Sequence, residues 1–285
     1  MTETNFNFTD EIFDRIINAA LKEDVGSGDL TTNLIVSSDL NAKAFLKAKE
    51  EGIVAGLRIA ELIFKKLDPA IKWQQHFNDG VKINPGDILV NFEGSYKAIL
   101  TGERTALNFL QRMSGIATLT SKFVNAVKGT KTKILDSRKT VPGLRMIDKY
   151  AVKIGGGTNH RIGLYDMVLI KDNHIKIAGG ISNAVNQVRT NLKAGIKIEV
   201  ETSNIDEVLE AVMLNVDFIM LDNMSTEMMR HAVKLINGKA LVEASGNMTL
   251  GRVKEAAETG VDFISVGALT HSVCALDIAQ YIENN

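Results

Sequence analysis

The chain of 285 residues has one cysteine, Cys274, one tryptophan and three prolines. A single thiol excludes an intrachain disulfide framework, and the cytoplasm is the expected compartment. Net charge is also nearly absent: 33 Lys and Arg stand against 34 Asp and Glu, a formal charge of −1. A dedicated nucleic-acid binder would carry a strong basic excess, so no nucleic-acid partner is expected. No run approaches the roughly 20 apolar residues of a membrane span, so no membrane partner is expected either. The first residues, MTETNFNFTDEIFD, lack the basic and apolar regions of a secretory leader. What is present is an apolar fraction of 45%, enough for a substantial core. The length suits two ordinary domains, or a barrel with a smaller companion.

Residues 9–24 have the spacing of a helix, with Thr9 as a candidate cap and Ile12, Ile16, Ile17, Ala20 and Leu21 on one face. A Gly- and Asp-rich loop follows at 24–32. Residues 42–48 suggest a strand and 53–67 a helix. Residues 81–90 alternate apolar and polar around Pro85-Gly86. A longer helical pattern runs from Glu103 to about Val127. This first third reads as mixed helix and antiparallel sheet.

The second half is more regular. Apolar runs end at Glu201, Asp222, Ser245 and Gly267, at intervals of 21, 23 and 22 residues. Amphipathic helices are expected between them at 204–214, 225–236 and 249–259. The runs KILDS (133–137) and MVLIK (167–171) fit the same scheme. About six buried parallel strands alternating with helices predict an α/β sheet or an incomplete barrel.

Ligands of parallel α/β folds bind beyond the carboxyl ends of the strands. Those ends carry Asp136 to Lys139, Lys171 to His174, Glu201, Asp222, Ser245-Gly246 and Gly267-Ala268. Any one polar strand end is ordinary solvation; polar chemistry at every successive end points to a site. Residues 130–176 hold ten Lys or Arg and four Asp or Glu, a balance of +6. Residues 199–262 hold five against twelve, a balance of −7. A small polyanion with a divalent cation needs both signs. Arg binds carboxylates bidentately and Lys offers a point charge to phosphate. Glu201 and Asp222 suit Mg²⁺ with its retained waters, or ribose hydroxyls. The loop Gly155 to Arg161 joins three glycines to a His-Arg pair, and no Walker A motif is present. Ser245-Gly246 and Gly267 sit where barrels hold a phosphate on backbone N–H groups.

Two other readings attach to single features. Lys171 at a strand end could form a Schiff base, as in barrel aldolases, although the cations around it suit anion binding better. Residues 80–94, GVKINPGDILVNFEG, look like part of a biotinyl or lipoyl carrier but show no clear lysine at a hairpin tip. His174 is expected to hold a loop rather than a metal. His76, His231 and His271 lie outside the motifs. Cys274 is expected in a helix, and Trp73 with Met213, Met220, Met224, Met228 and Met229 in the core or near an interface.

The segment Asp136-Ser137-Arg138-Lys139-Thr140-Val141-Pro142-Gly143-Leu144-Arg145 resembles the signature of the quinolinate phosphoribosyltransferases. So do Glu103-Arg104-Thr105, Gly155 to Arg161, Leu169 to His174, Glu199-Val200-Glu201, Leu221-Asp222-Asn223 and Glu243 to Gly246. The early Glu23-Asp24 and Gly28-Asp29-Leu30-Thr31-Thr32 also match, so the resemblance runs through nearly the whole chain. Ser137 stands where threonine is common, and Ile154 where cysteine is common. Neither is an obvious catalytic group.

The resemblance implies an open, incomplete α/β barrel (TIM-like) over 113–271 with a smaller N-terminal α+β sandwich domain over 1–112. A C-terminal helix, 272–285, is expected to pack back on that domain. It implies phosphoribosyl transfer from phosphoribosyl pyrophosphate to quinolinate with loss of CO₂, giving nicotinate mononucleotide and pyrophosphate in NAD biosynthesis. It also implies a homodimer in which Arg104 is donated to the neighbouring site. Arg104, Arg138, His160, Arg161 and Lys171 would meet the substrate carboxylates, and Lys139 and Lys171 the pyrophosphate. Ser245, Gly246 and Gly267 would hold the 5′-phosphate. Lys139, Lys171, Glu201 and Asp222 are the catalytic candidates, and Glu201 and Asp222 the candidate Mg²⁺ ligands. Mg²⁺ arrives with phosphoribosyl pyrophosphate, and no organic cofactor is expected. A paralogous group linked to molybdenum transport shares parts of the pattern and is the alternative assignment.

Overall fold

The computed structural model describes residues 8–283. In chain order the elements are α1 (Asp10–Val25), α2 (Leu30–Ile35), β1 (Asn41–Ala48), β2 (Gly52–Ile53), α3 (Leu57–Leu67), β3 (Lys72–Gln75), β4 (Lys82–Ile83), β5 (Ile88–Ser95) and α4 (Tyr96–Ala126). They continue with β6 (Lys133–Leu135), α5 (Arg145–Ile154), β7 (Val168–Ile170), α6 (Asp172–Ala178), α7 (Ile181–Asn191), β8 (Ile198–Thr202), α8 (Ile205–Met213) and β9 (Phe218–Asp222). The last are α9 (Thr226–Ile236), β10 (Leu241–Ser245), α10 (Leu250–Ala257), β11 (Phe263–Ser265), α11 (Ala268–His271) and β12 (Ile278–Ile282).

Two compact units emerge. The first holds the described residues 8–121, 141–156 and 272–283. It therefore extends past the expected boundary at 112 and takes in α5. Its sheet has the order β12-β1-β5-β3 and is antiparallel throughout. On β1 every second residue (Ala42, Ala44, Leu46, Ala48) is buried, the period-2 signature of a half-covered strand. The core gathers Ile17, Leu46, Ile63, Phe64, Leu89 and Leu110. The Trp73 ring sits against Phe64 and Phe92.

Two carboxylates, one buried and one half-buried, tie this unit together. Asp148 of α5 takes a bidentate pair of hydrogen bonds from Arg112 of α4, at 2.9 and 2.8 Å. Asp79 accepts the Gly56 and Leu57 N–H groups at the start of α3, and the Tyr150 hydroxyl at 2.9 Å. Burial raises both carboxyls above their ordinary range despite these donors.

The expected C-terminal helix is a correction. Residues 272–277 are irregular, and 278–282 form β12, paired antiparallel with β1 from Ala44↔Ile282 to Ala48↔Ile278. An open β1 edge offers a ladder of backbone bonds, and the β-prone Ile278, Tyr281 and Ile282 complete it. The last two residues of the expected helix, like Met1 to Asn7 of the expected first domain, lie outside the described residues. Cys274 is accordingly in an exposed irregular segment and not in a helix. Gly115 of α4 makes room for that segment: a Cβ there would run into the Cys274 carbonyl.

The second unit holds residues 122–140 and 157–271. Its sheet has six parallel strands in the order β6-β11-β10-β9-β8-β7. The edge strands β6 and β7 do not pair with each other, so the barrel is open and incomplete. β8, β9 and β10 are each followed by a helix (α8, α9, α10) where the sequence spacing expected one. Asn204 and Ser225 cap α8 and α9, accepting the N–H groups of Glu207 and Met228. Leu135, Met167, Phe218 and Phe263 pack as one buried cluster inside the sheet. Met220, Met224 and Met229 are buried as expected, whereas Met213 at the end of α8 is 74% exposed.

Candidate active site

A cavity of about 790 Å³ opens at the carboxyl ends of the parallel strands. Each wall follows from a short piece of sequence. Beyond β6 come Ser137, Arg138 and Lys139. The Lys139 backbone is held twice, its N–H by Ser137 Oγ at 3.1 Å and its carbonyl by the Thr270 hydroxyl at 2.9 Å. Asp136, fully buried, turns away from ligand chemistry: it accepts the His160 N–H at 2.8 Å and the Asn159 amide at 2.7 Å. It thereby fastens the segment carrying His160 and Arg161 to the end of β6.

Lys171 follows β7 at the start of α6. Its backbone N–H donates to His174 Nδ1 at 2.9 Å, so His174 holds this loop. Its side chain crosses to β8 and pairs with Glu201, Nζ to Oε2 at 2.7 Å. Asp222 ends β9 and accepts from the amide of Asn223 at 2.8 Å. Asn223 has φ +53, a left-handed conformation that asparagine tolerates. Its backbone N–H reaches Ser245 O at 3.0 Å, joining the ends of β9 and β10. Gly246 then takes φ +93, and a Cβ there would collide with the Asn223 side chain. Arg252 of α10 holds the same turn from behind, donating to the carbonyls of Gly246 and Met224 at 3.3 and 2.6 Å.

Of the residues singled out from sequence, Arg138, Lys139, His160, Arg161, Lys171, Glu201, Asp222, Ser245, Gly246 and Gly267 all line this cavity. Arg104 does not: it is exposed on α4, in the other unit. The cations come from the ends of the two edge strands and the 158–162 segment, and the carboxylates from the central strands β8 to β10. The −7 stretch of sequence is thus only partly a wall, since Glu207, Glu210, Glu255 and Glu258 lie on its helices or helix ends.

Several lining residues were not legible as site residues. His271, set aside on sequence, closes the cavity beside Gly267. A Cβ on Gly267 would lie 3.1 Å from the His271 ring and 3.2 Å from Lys139 Cδ. Asn247 and Thr249 also line it. The one available signal was position, since all three follow directly on strand-end motifs.

A buried charge cluster forms part of the cavity wall, with His160 and Glu243 lining it and Glu199 behind. His160 Nε2 stands 3.3 Å from Glu199 Oε2 and 3.3 Å from Glu243 Oε2, with both carboxylates fully buried. Burial opposes a second proton on the ring and the Glu243 and Glu199 carboxylates favour one, but Nδ1 already accepts the Arg161 N–H at 2.7 Å, so the ring carries its single proton on Nε2. Burial, with Glu243 alongside, pushes Glu199 up to about 7. Glu243 is also buried, but the facing His160 brings it below its ordinary value. Arg161 is lowered, first by burial and then by the charge of Arg138.

An open parallel barrel whose strand ends surround a cavity with fixed cations and carboxylates defines an enzyme for small polyanions. Residues 29–114 match the family of the quinolinate phosphoribosyl transferase N-terminal domain, and residues 116–280 that of its C-terminal domain. A tobacco (Nicotiana tabacum) quinolinate phosphoribosyltransferase [decarboxylating] is 46% identical over 287 aligned residues, covering 94% of this chain and 81% of its own. A probable nicotinate-nucleotide pyrophosphorylase [carboxylating] of Synechocystis is 44% identical, covering 96% and 94%. The crystal structure of NadC from Streptococcus pyogenes superposes with a TM-score of 0.93 at 39% identity, covering 98% and 99% of the two chains. That of the nicotinate-nucleotide pyrophosphorylase from Ehrlichia chaffeensis gives 0.91 at 44%, covering 95% and 98%. The chain belongs to the quinolinate phosphoribosyltransferase family.

Proposed function

We propose that this enzyme transfers the phosphoribosyl group of phosphoribosyl pyrophosphate to quinolinate with decarboxylation, a step in making NAD. The observation that carries this reading is the convergence of Arg138, Lys139, Arg161 and Lys171 with Glu201 and Asp222 in one cavity. Quinolinate is a dicarboxylate, and the second substrate adds a pyrophosphate and a 5′-phosphate. The guanidinium groups of Arg138 and Arg161, with Lys171 and with His160 beside Arg161, serve the carboxylates. Lys139 and Lys171 serve the pyrophosphate. The turns at Ser245-Gly246 and Gly267 leave backbone room for the 5′-phosphate.

The chemistry needs position and charge. The pyridine nitrogen attacks the anomeric carbon as the C–O bond to pyrophosphate breaks, its electron pair leaving with pyrophosphate. Glu201 and Asp222 face positive charge developing on the sugar. The quaternised ring then takes up the electron pair of the C–CO₂ bond, CO₂ departs, and the ring carbon gains a proton. Lys139, Lys171, Glu201 and Asp222 act by orienting and by electrostatics.

Mg²⁺ fits this donor set as a companion of the pyrophosphate. Lys171 engages one oxygen of Glu201 and Asn223 one oxygen of Asp222. Two carboxylates at neighbouring strand ends suit an ion that keeps several waters and binds through one or two carboxylates and phosphates. Glu201 and Asp222 would hold it, and it would neutralise charge on the leaving group.

A homodimer sharing Arg104 belongs to the same reading. Support comes from Arg104 being exposed and absent from its own chain's cavity, and from α2 exposing Leu30, Leu34 and Ile35 at 76, 85 and 77%. Cytoplasmic placement is part of it too, fitted by a single unpaired cysteine, although some plant relatives are named mitochondrial or chloroplastic. No described helix is long and apolar enough to cross a membrane. A Schiff-base role for Lys171 is disfavoured, because its ammonium is ion-paired and its side chain is 46% exposed. The test is release of labelled CO₂ from quinolinate. Release that requires both phosphoribosyl pyrophosphate and Mg²⁺ is expected; silence would overturn the assignment in favour of the paralogue's chemistry.

A further inference from the structure

Glu199 and Glu243 are two buried strand acids that the reaction above does not use, and each faces His160. Glu199 sits mid-strand in β8 and Glu243 mid-strand in β10, each fully buried. An isolated buried carboxylate is strongly unfavourable, so such a pair needs a compensating partner. One oxygen of each stands 3.3 Å from His160 Nε2, an ion-pair contact outside good hydrogen-bond geometry. On the other side of the ring, Nδ1 accepts the backbone N–H of Arg161 at 2.7 Å.

One histidine and two carboxylates with ligand atoms within 4.8 Å of one another could also suit a metal ion. The ring geometry decides between the two. A metal-bound imidazole uses one nitrogen for the metal and donates the other N–H outward. Here Nδ1 receives a donor, so the ring proton resides on Nε2, between the carboxylates. The set holds a proton in place of an ion.

We propose that Glu199 and Glu243 are positioning residues. Their negative charge favours the proton on Nε2 and draws that edge of His160 between them, and the ring in turn holds the Arg161 backbone through Nδ1, setting the Arg161 side chain against the anionic substrate. His160 is fixed at three points: by the two carboxylates, by Arg161 N–H, and by Asp136 through its own N–H. Arg161 is then steadied at its far end by Met167 O, 3.0 Å from Nη1. His160 thus keeps its proton inside the clamp and does not give it to the substrate. The inference rests on the proposed reaction only for what Arg161 binds.

The test uses the full-length protein and the variants Glu199→Gln, Glu243→Gln and Glu243→Leu. The Gln variants keep nearly the same shape and an acceptor oxygen, so they guard against a loss of fold, which is checked by thermal melting. Glu243→Leu should raise KM for quinolinate about tenfold or more. KM for phosphoribosyl pyrophosphate should change little, and the Gln variants should fall between wild type and leucine. Nitrogen-15 NMR of the ligand-free protein should show a protonated Nε2 and an unprotonated Nδ1 on His160, retained when quinolinate alone is added. A wild-type KM in a folded Glu243→Leu protein, an Nδ1–H ring, or a stoichiometric metal on elemental analysis would each overturn the clamp. Wild-type protein inert toward quinolinate would sink the proposed reaction and leave the NMR result standing.

Discussion

The Lys171 ammonium and the Glu201 carboxylate lie 2.7 Å apart, joining the ends of β7 and β8 across the mouth of the cavity. Lys171 is half-exposed, so water screens the pair and it adds only about 0–1 kcal/mol to stability. In the proposed reaction its value is functional, because it keeps a cation and an anion side by side where that reaction brings the pyrophosphate and the sugar together. Lys171→Ala should therefore lower kcat/KM by about 10²–10³ with a melting temperature close to wild type. Arg138→Ala should behave alike. Steady-state kinetics beside a melting curve check both, and wild-type turnover in either variant would remove these residues from the site.

Asn223 links Asp222 to the phosphate-side turn. Asn223→Ala should release Asp222 and lower kcat by about 10- to 100-fold, since small misplacements of reacting groups carry losses of that size. Gly246→Ala should perturb the same point by pushing Asn223 aside, and its left-handed backbone adds strain of about 1–3 kcal/mol. KM for phosphoribosyl pyrophosphate should rise in both; unchanged kinetics would show that the turn does not report on the site.

A pH prediction follows from Glu199. Its carboxyl has an ordinary pKa of 4.5 and is pushed up to about 7 in the fold. The folded state therefore holds a proton that the unfolded chain releases. The linked contribution is fully present below pH 4.5 and is lost as pH rises through about 7. Wild-type stability minus that of Glu199→Gln should thus be larger at pH 5 than at pH 8, measured by denaturant unfolding. The opposite slope would mean that the carboxyl is ionised in the fold.

Asp148 makes a contrasting case, remote from the chemistry. Its carboxylate is fully buried and rests on Arg112. Arg112→Ala leaves that charge without its bidentate partner and should destabilise the protein by about 3–5 kcal/mol. Activity of the fraction that remains folded should persist. Calorimetry with an activity assay below the transition separates the two effects.

The proposed sharing of Arg104 between protomers predicts complementation. Arg104→Ala and Lys171→Ala should each be nearly inactive, and a mixture allowed to exchange subunits should regain activity through hybrid dimers carrying one intact site. No recovery after confirmed exchange would place Arg104 outside the site.

Much of this was readable from the chain because buried parallel strands are apolar in bulk and polar where they end. The 21- to 23-residue spacing of Glu201, Asp222, Ser245 and Gly267 therefore located β8 to β11 and the cavity beyond them. Glu199 shares a strand face with Glu201 by the two-residue period, but periodicity cannot say what a mid-strand acid will face. The partners of Glu199 lie in β10 and in the 158–162 segment, and only packing brings them to one imidazole. The same holds for β12, a strand where the family resemblance implied a helix because the open edge of β1 supplies its hydrogen bonds, and for His271, which no motif marks. What the sequence determined by itself was the order of elements and the side chains at their ends, because these depend on local periodicity and turn chemistry. What tertiary structure alone decided was which of those side chains share a proton, an ion pair or a wall, because such contacts depend on strand order and not on distance along the chain.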